Sequence, residues 1–125
     1  MQSLLFSFQG RVNRAKFWLV HLAMWVVAGV AIGIILGGAV LSSDPETALR
    51  SVGAVPGLIL LVVYVLIIWV GLAIGVKRWH DRNKSGWWVL IAFVPVIGGL
   101  WYLIECGFLR GTAGPNTYGA DPLAG

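Results

Sequence analysis

Three long stretches of this 125-residue chain contain no Asp, Glu, Lys or Arg. They cover residues 17–41, 51–76 and 85–104, which are 25, 26 and 20 residues long. Helices of these lengths would extend roughly 30 to 39 Å, and the hydrocarbon core of a bilayer is about 30 Å thick. Charged residues make up only 11% of the chain, too few to cover a water-soluble surface. The sequence therefore predicts an all-α membrane protein with three transmembrane helices and argues against a soluble enzyme.

A single integral membrane domain is expected over residues 1–125. Pro56 suits the first turn of a second helix, and Ser85 suits an N-cap for a third. The predicted segments are a cytoplasmic or interfacial N-terminal segment (1–16), a first transmembrane helix (17–41), an outer loop (42–55), a second helix (56–76), a basic cytoplasmic loop (77–85), a third helix (86–109) and a Gly/Pro-rich tail (110–125).

The basic residues predict the orientation of these helices. The N-terminal segment contains three Lys and Arg residues and the second loop four, whereas the outer loop has Arg50 and the tail Arg110. Cytoplasmic loops carry the excess of Lys and Arg in membrane proteins. We therefore expect the N-terminus and the second loop in the cytoplasm and the C-terminal tail outside. The first apolar stretch is too long for the h-region of a cleavable signal peptide.

The third apolar stretch is interrupted by Pro95 and by the glycines at 98 and 99. A full crossing is expected, because transmembrane helices commonly tolerate a single proline. The alternative is a segment that re-enters and returns the tail to the cytoplasm. In a full crossing, Glu105 would lie at the outer interface and either face water or pair with Arg110 or Arg50.

Glycines recur at four-residue intervals in the first two predicted helices. Four residues are slightly more than one helical turn, so these glycines would form a groove where a second helix can approach closely in lipid. The groove would serve packing within the chain or between copies. The predicted packing residues are Gly29, Gly33, Gly37, Gly71 and Gly75.

The second loop is the densest polar group in the sequence. Its four basic residues would attract anionic phospholipid headgroups, at about 1 kcal/mol per residue. Asp81 could orient the imidazole of His80 or neutralise neighbouring guanidinium groups, and structural hydrogen bonding is favoured over catalysis because no nucleophile or metal group accompanies the pair. The candidate structural or lipid-contact residues are Arg11, Arg14, Lys77, Arg78, His80, Asp81, Arg82 and Lys84.

No catalytic, cofactor-binding or metal-binding motif is found in the sequence. Cys106 is the single cysteine, which excludes an intramolecular disulfide and a thiolate cluster. The net charge of +4 comes from basic residues beside the apolar stretches, a pattern of membrane topology rather than of nucleic-acid binding. His21 is expected to be a satisfied interfacial residue. We therefore expect no enzyme, no cofactor and no nucleic-acid partner.

Three motifs occupy the polar segments in a fixed order. They are Phe8-Gln9-Gly10-Arg11-Val12-Asn13-Arg14 with Phe17-Trp18, then Lys77-Arg78-Trp79-His80-Asp81 with Lys84-Ser85-Gly86-Trp87-Trp88, and finally Gly111-Thr112, Gly114-Pro115-Asn116, Tyr118-Gly119 and Asp121-Pro122. Together they resemble the domain of unknown function 805 family, which consists of small bacterial inner-membrane proteins. The resemblance implies a multi-pass protein of the bacterial inner (plasma) membrane and no established activity.

The leading hypothesis is a non-enzymatic membrane protein that acts by interaction through its basic loop. Its expected partners are the lipid bilayer with its anionic phospholipids, a second copy of the chain, or a partner membrane protein. The alternative is a small oligomeric transporter or channel assembled along the glycine grooves, with the break at 95–99 as a gate. The absence of a charged residue at the middle of any predicted helix argues against an ion-coupled transporter. A membrane-embedded enzyme that acts on a headgroup through His80 and Asp81 is a third reading.

Overall fold

The computed structural model of the protein describes residues 2–51 and 53–123. Residue 1 of the predicted N-terminal segment, residue 52 of the outer loop and residues 124–125 of the tail lie outside the described residues. The regular elements in the described part are all helical, which confirms the all-α prediction. They are α1 (Gln2–Phe6), α2 (Arg14–Leu41), α3 (Pro45–Ser51), α4 (Ala54–Asp81), a 3-10 helix (Gly86–Phe93), α5 (Ile97–Tyr102) and a π-helical turn (Leu103–Phe108).

The two long helices, α2 and α4, each contain 28 residues and are long and apolar enough to cross a membrane. Both extend beyond the apolar stretches that predicted them. In α4 the extension takes in residues 77–81, so most of the predicted second loop is the last part of a helix. Lys and Arg are good helix formers, and the chain turns away only at Asn83, whose φ is +58°.

The predicted outer loop contains a short helix that was not predicted. Asp44 caps α3, because its carboxylate accepts hydrogen bonds from the backbone N–H of Thr47 at 2.9 Å and from the hydroxyl of Thr47 at 2.8 Å. Glu46 and Arg50 form an exposed ion pair one turn apart. The signal was present in the sequence as Asp44 followed by Pro45, a typical start of a helix.

The prediction of one continuous helix over 86–109 is wrong. The 3-10 helix begins as predicted at Ser85, whose hydroxyl accepts a hydrogen bond from the backbone N–H of Trp87. The helix ends before Pro95, and the backbone changes direction at Val96, whose φ is +64°. At Gly98 the backbone turns so tightly that a Cβ atom would lie 1.7 Å from the carbonyl oxygen of Ile91. The third apolar stretch is therefore a folded-back pair of short helices.

The chain divides into two compact units. Unit 1 contains the described residues up to His21 and those from Trp69 onward, and unit 2 is Leu22–Ile68. Among the residues whose burial is described, the buried apolar side chains belong to unit 1: Val12, Phe17, Val20, Ala73, Ile74, Trp79, Val89 and Cys106.

Unit 2 is apolar and exposes many of its large side chains, such as Ile34, Val40 and Leu58. This is the arrangement expected of a surface that faces lipid rather than water.

The predicted packing glycines differ in their surroundings. A Cβ atom added at Gly75 would lie 2.9 Å from the hydroxyl of Tyr102 and 2.9 Å from Val89, so α4 is closely approached there. Gly71 is half-buried in the same unit. At the glycines of α2, by contrast, no described heavy atom of the chain outside the local helix backbone would lie within 4 Å of an added Cβ: Gly29, Gly33 and Gly37.

Candidate functional site

Three separate segments of unit 1 meet at one buried aspartate. Asp81, the last residue of α4, pairs through one carboxylate oxygen with Arg11 at 2.9 Å and through the other with Arg78. The side chains of Arg11, Arg78 and Asp81 are 1%, 0% and 5% exposed. Burying charges is costly unless every donor and acceptor is satisfied. We refer to these three residues as the arginine–aspartate cluster.

Arg11 joins the cluster to the C-terminal tail. Its guanidinium donates to the carbonyl oxygens of Thr112 at 2.6 Å, Gly114 at 2.7 Å and Gly119 at 3.2 Å. The tail is held from the other side as well, because the backbone N–H of Thr112 donates to the carbonyl of Asp81 at 2.6 Å. Arg11 therefore fixes the tail against the end of α4.

Arg78 fixes the segment that follows α5 against the end of α4. Its Nε donates to the carbonyl of Cys106 at 2.6 Å, and another guanidinium nitrogen donates to the carbonyl of Leu109. Gly111 completes the fit, since a Cβ atom there would lie 1.9 Å from an oxygen of Asp81. Neither the tail glycines nor these carbonyls could be assigned to the site from the sequence, because no local pattern marks a backbone group as a partner.

These contacts contradict the prediction that the tail lies on the opposite side of the membrane from residues 77–85. A hydrocarbon core about 30 Å thick cannot separate groups that are hydrogen bonded to each other. The predicted position of Glu105 at the outer interface is wrong for the same reason: its carboxylate pairs with Lys84 and lies 3.5 Å from Arg82. These contacts favour the alternative to a full crossing, in which the third segment re-enters and the tail returns to the side of residues 77–85.

His80 lies beside the cluster without facing Asp81. Its Nδ1 lies 2.9 Å from the carbonyl of Gly10, and its ring stacks on Tyr118 with centroids 4.0 Å apart and planes at 3°. Asn116 donates to the carbonyl of His80 at 2.8 Å. Of the two roles that the sequence left open for Asp81, the structure shows the neutralisation of guanidinium groups and not the orientation of the imidazole.

The remaining basic residues of the predicted loop are also engaged. Lys77 is 3% exposed and donates to the carbonyl of Leu4 at 2.7 Å. The Lys84 ammonium pairs with Glu105 and lies 5.0 Å from the ring centroid of Trp88. Arg82 donates to the carbonyl of Arg110 at 2.6 Å. All four basic residues of 77–84 therefore contribute to internal contacts.

The exposed basic residues of this end come from elsewhere in the chain. Arg14 and Lys16, in the first turn of α2, are exposed, and so is Arg110. Arg14 uses one guanidinium nitrogen to donate to the carbonyl of Phe108 at 2.7 Å. Of these three residues, only Arg14 was predicted from the sequence as a candidate contact residue.

His80 also lines an apolar pocket of about 570 Å³. Phe8, Val76 and Leu90 contribute to its apolar lining, and His80 and Ser85 provide polar atoms. Its composition resembles that of sites for apolar ligands.

Asp121 holds the tail turn through its carboxylate, which accepts hydrogen bonds from the N–H groups of Leu123 at 2.9 Å and Gly114 at 2.8 Å. These bonds lower the pKa of Asp121, and the positive charges of Arg11 and Arg110 act in the same direction. A carboxyl whose pKa is lower in the folded state stabilises that state above its unfolded pKa.

The tail turn should therefore loosen in acid. The contribution of Asp121 is complete above pH of about 4 and is lost as the pH falls through the lower pKa of the folded state. We expect the amide of Gly114 to lose protection from hydrogen exchange in that range. The amide of Thr112 is the internal control, because it donates to a backbone carbonyl. Unchanged relative protection of Gly114 down to pH of about 2 would contradict this role of Asp121.

The two long apolar helices and the all-helical architecture of the described residues define an all-helical membrane protein. The chain belongs to the family described as "Protein of unknown function (DUF805)", which matches it over residues 5–120. The resemblance stated from the three motifs is thereby confirmed.

Three proteins of Escherichia coli strain K12 are similar to this chain along most of their length. The inner membrane protein YhaI is 33% identical over 120 residues, which cover 95% of this chain and 88% of that protein. The inner membrane protein YhaH is 28% identical over 116 residues, with 93% and 87% covered. The uncharacterized protein YiiR is 30% identical over 145 residues, with 97% and 89% covered. No solved structure matches the chain.

Proposed function

We propose that this protein is a non-enzymatic protein of the bacterial inner membrane whose polar end binds anionic phospholipid headgroups. The observation that carries the proposal is the position of the basic residues. Three lie in the N-terminal segment, four lie at 77–84 and one is Arg110, so eight of the nine Lys and Arg residues belong to unit 1. Arg14, Lys16 and Arg110 remain exposed there.

Exposed apolar side chains accompany these charges. Phe108 and Leu109 are 59% and 41% exposed and directly precede Arg110. A surface that carries both kinds of side chain suits the membrane interface, where apolar groups enter the bilayer and basic groups meet the headgroups. The names of YhaI and YhaH as inner membrane proteins support the same location for this chain.

The proposed topology has two crossings and one re-entrant segment. Helices α2 and α4 cross the bilayer, and residues 85–109 enter it and leave on the same side. The 3-10 helix reaches only roughly 16 Å, which is too short to cross. Eight basic residues then lie on one side and Arg50 on the other, a stronger bias than three crossings would give, so this side is cytoplasmic.

Reporter fusions test this topology. A fluorescent protein fused to the C-terminus should fluoresce in the cytoplasm, and alkaline phosphatase at the same position should be inactive. Insertion of the same reporters after Ser43, before α3, provides the control and should give the opposite pair of signals. An active phosphatase at the C-terminus would contradict this topology and support three crossings.

Lipid binding can be measured by native mass spectrometry of the protein in nanodiscs that contain phosphatidylglycerol and phosphatidylcholine. We expect the wild type to retain phosphatidylglycerol preferentially, and Arg14→Gln/Lys16→Gln/Arg110→Gln to lose most of this preference, by roughly tenfold or more at about 1 kcal/mol per basic residue. Arg50→Gln removes an exposed arginine from the outer loop and should leave the preference unchanged. A wild type that retains both lipids equally would overturn the proposal.

A second candidate function is self-association along α2, and the resulting oligomer would act as a small transporter or channel. It is favoured by the open space beside Gly29, Gly33 and Gly37. Glycines spaced in this way allow two helices to approach closely in lipid. The same mass spectra report the copy number, and a monomer at all protein concentrations would contradict this candidate.

A further inference from the structure

A small cleft with three charged residues in its lining lies in unit 1 between the first turn of α2 and the start of the tail. It has a volume of about 260 Å³, and its lining includes Arg14, Asp81, Arg110 and Gly111. We propose that this cleft binds the phosphate group of a membrane phospholipid. The inference rests on the proposed function and narrows it from a charged surface to one site.

The two arginines make the cleft suitable for phosphate. Each guanidinium is a planar fork that donates two parallel hydrogen bonds to an oxyanion. The non-bridging oxygens of a lipid phosphate, two in a diester and three in a monoester, can each accept more than one hydrogen bond, so one phosphate can accept both forks. One guanidinium nitrogen of Arg14 donates to the carbonyl of Phe108. The Arg110 guanidinium donates no hydrogen bond to any described residue, so both arginines have donors left.

Asp81 does not oppose an anion in this cleft, because both of its carboxylate oxygens are occupied. One pairs with Arg11 and the other with Arg78. Asp121 lies near enough to Arg11 and Arg110 to feel their charges, and its oxygens accept the N–H groups of Gly114 and Leu123. The four arginines around the cleft outnumber these two carboxylates, which leaves the cleft positive.

The size of the cleft and its neighbours point to a lipid. A single water molecule needs a cavity of only about 10–15 Å³ on this scale, so a cleft of about 260 Å³ has room for a phosphate group. Phe108 and Leu109, beside Arg110, are exposed and apolar. A phosphate held there would place its acyl chains against these side chains, whereas free phosphate would gain nothing from them.

The test uses the purified full-length protein in detergent and follows binding by ³¹P NMR with two probes. The probes are the short-chain lipid dihexanoyl phosphatidic acid and inorganic phosphate. We expect the lipid to bind more tightly than inorganic phosphate. Arg110→Gln should weaken lipid binding about fivefold, which is the loss of about 1 kcal/mol for one basic residue. Lys16→Gln is the control, because Lys16 is exposed in the same turn of α2 as Arg14 but does not line the cleft, and this variant should change binding less than twofold.

Arg14→Lys/Arg110→Lys keeps both charges and removes both forks. Weaker lipid binding in this variant, with unchanged thermal unfolding, supports the cleft. Equal binding by this variant and the wild type, or an equal loss in Lys16→Gln, would overturn the cleft while the headgroup preference in nanodiscs stands. Inorganic phosphate that binds as tightly as the lipid would overturn the lipid as its source. A wild type that binds the lipid in detergent but shows no preference in nanodiscs would support the cleft as a binding site and overturn the proposed function.

Discussion

Asp81→Asn is expected to lower the free energy of unfolding by about 3–5 kcal/mol, the loss typical of breaking a buried ion pair from one side. The amide has nearly the shape of the carboxylate but no negative charge. It also turns N–H donors toward guanidinium groups that are themselves donors. Arg11 and Arg78, which are almost completely buried, would then remain charged without a counter-ion.

Cys106 offers a direct measurement of this loss. Its side chain is fully buried, and its carbonyl accepts the Nε–H of Arg78, so its thiol reacts only when this part of unit 1 opens. Labelling of Cys106 by a thiol reagent should be roughly a hundredfold faster or more in Asp81→Asn, from 1.4 kcal/mol per factor of ten. Glu46→Gln is the control, since it removes an exposed ion pair of small expected contribution. Equal labelling rates in all three proteins would show that the cluster does not stabilise the fold.

Gly98→Ala is expected to destabilise unit 1 by about 3 kcal/mol, at the upper end of the usual cost of overpacking. The added methyl would lie 1.7 Å from the carbonyl oxygen of Ile91 and 2.7 Å from the Cβ of Val94. A carbonyl oxygen cannot rotate away as a side chain does, so the 3-10 helix and α5 would have to separate. The folded-back geometry of the third apolar stretch depends on this contact.

Gly99→Ala provides the matched control at the neighbouring position of α5. No described atom outside the local helix backbone lies within 4 Å of the position of its added Cβ. Alanine is the better helix former, so this variant should be neutral or more stable by about 0.5–1 kcal/mol. Thermal unfolding in one detergent compares the two variants. Equal midpoints for Gly98→Ala and Gly99→Ala would contradict the close approach of the two helices.

The arginine–aspartate cluster explains why charge density in the sequence did not identify the exposed basic surface. Residues 77–84 carry four of the nine basic residues, yet Arg78 is buried and Lys77 is almost so. Arg110 stands alone in the sequence and is exposed. Whether a basic side chain remains free to bind a ligand depends on which carbonyls and carboxylates fold against it. Those partners come from distant parts of the chain.

Several features of the polar end could be predicted from the residues. The sequence indicated that the N-terminal segment and residues 77–84 carry the polar groups of one face, and it offered neutralisation of arginines as one role of Asp81. It also located the cap at Ser85, because a short hydroxyl side chain before an apolar stretch is a local signal. The left-handed residue Val96 had no such signal, since a β-branched side chain disfavours that conformation.

The sequence by itself determined that this is an all-helical membrane protein, where its two long helices lie and which family it belongs to. These properties depend on local composition and on motifs, which are read over about twenty residues at a time. The tertiary structure decided that the tail packs against the end of α4, how the third apolar stretch folds back and which basic residues stay exposed. The physical reason is the range of the contacts: Arg11 reaches Asp81 across 70 positions and Gly114 across 103, and no local pattern specifies such partners.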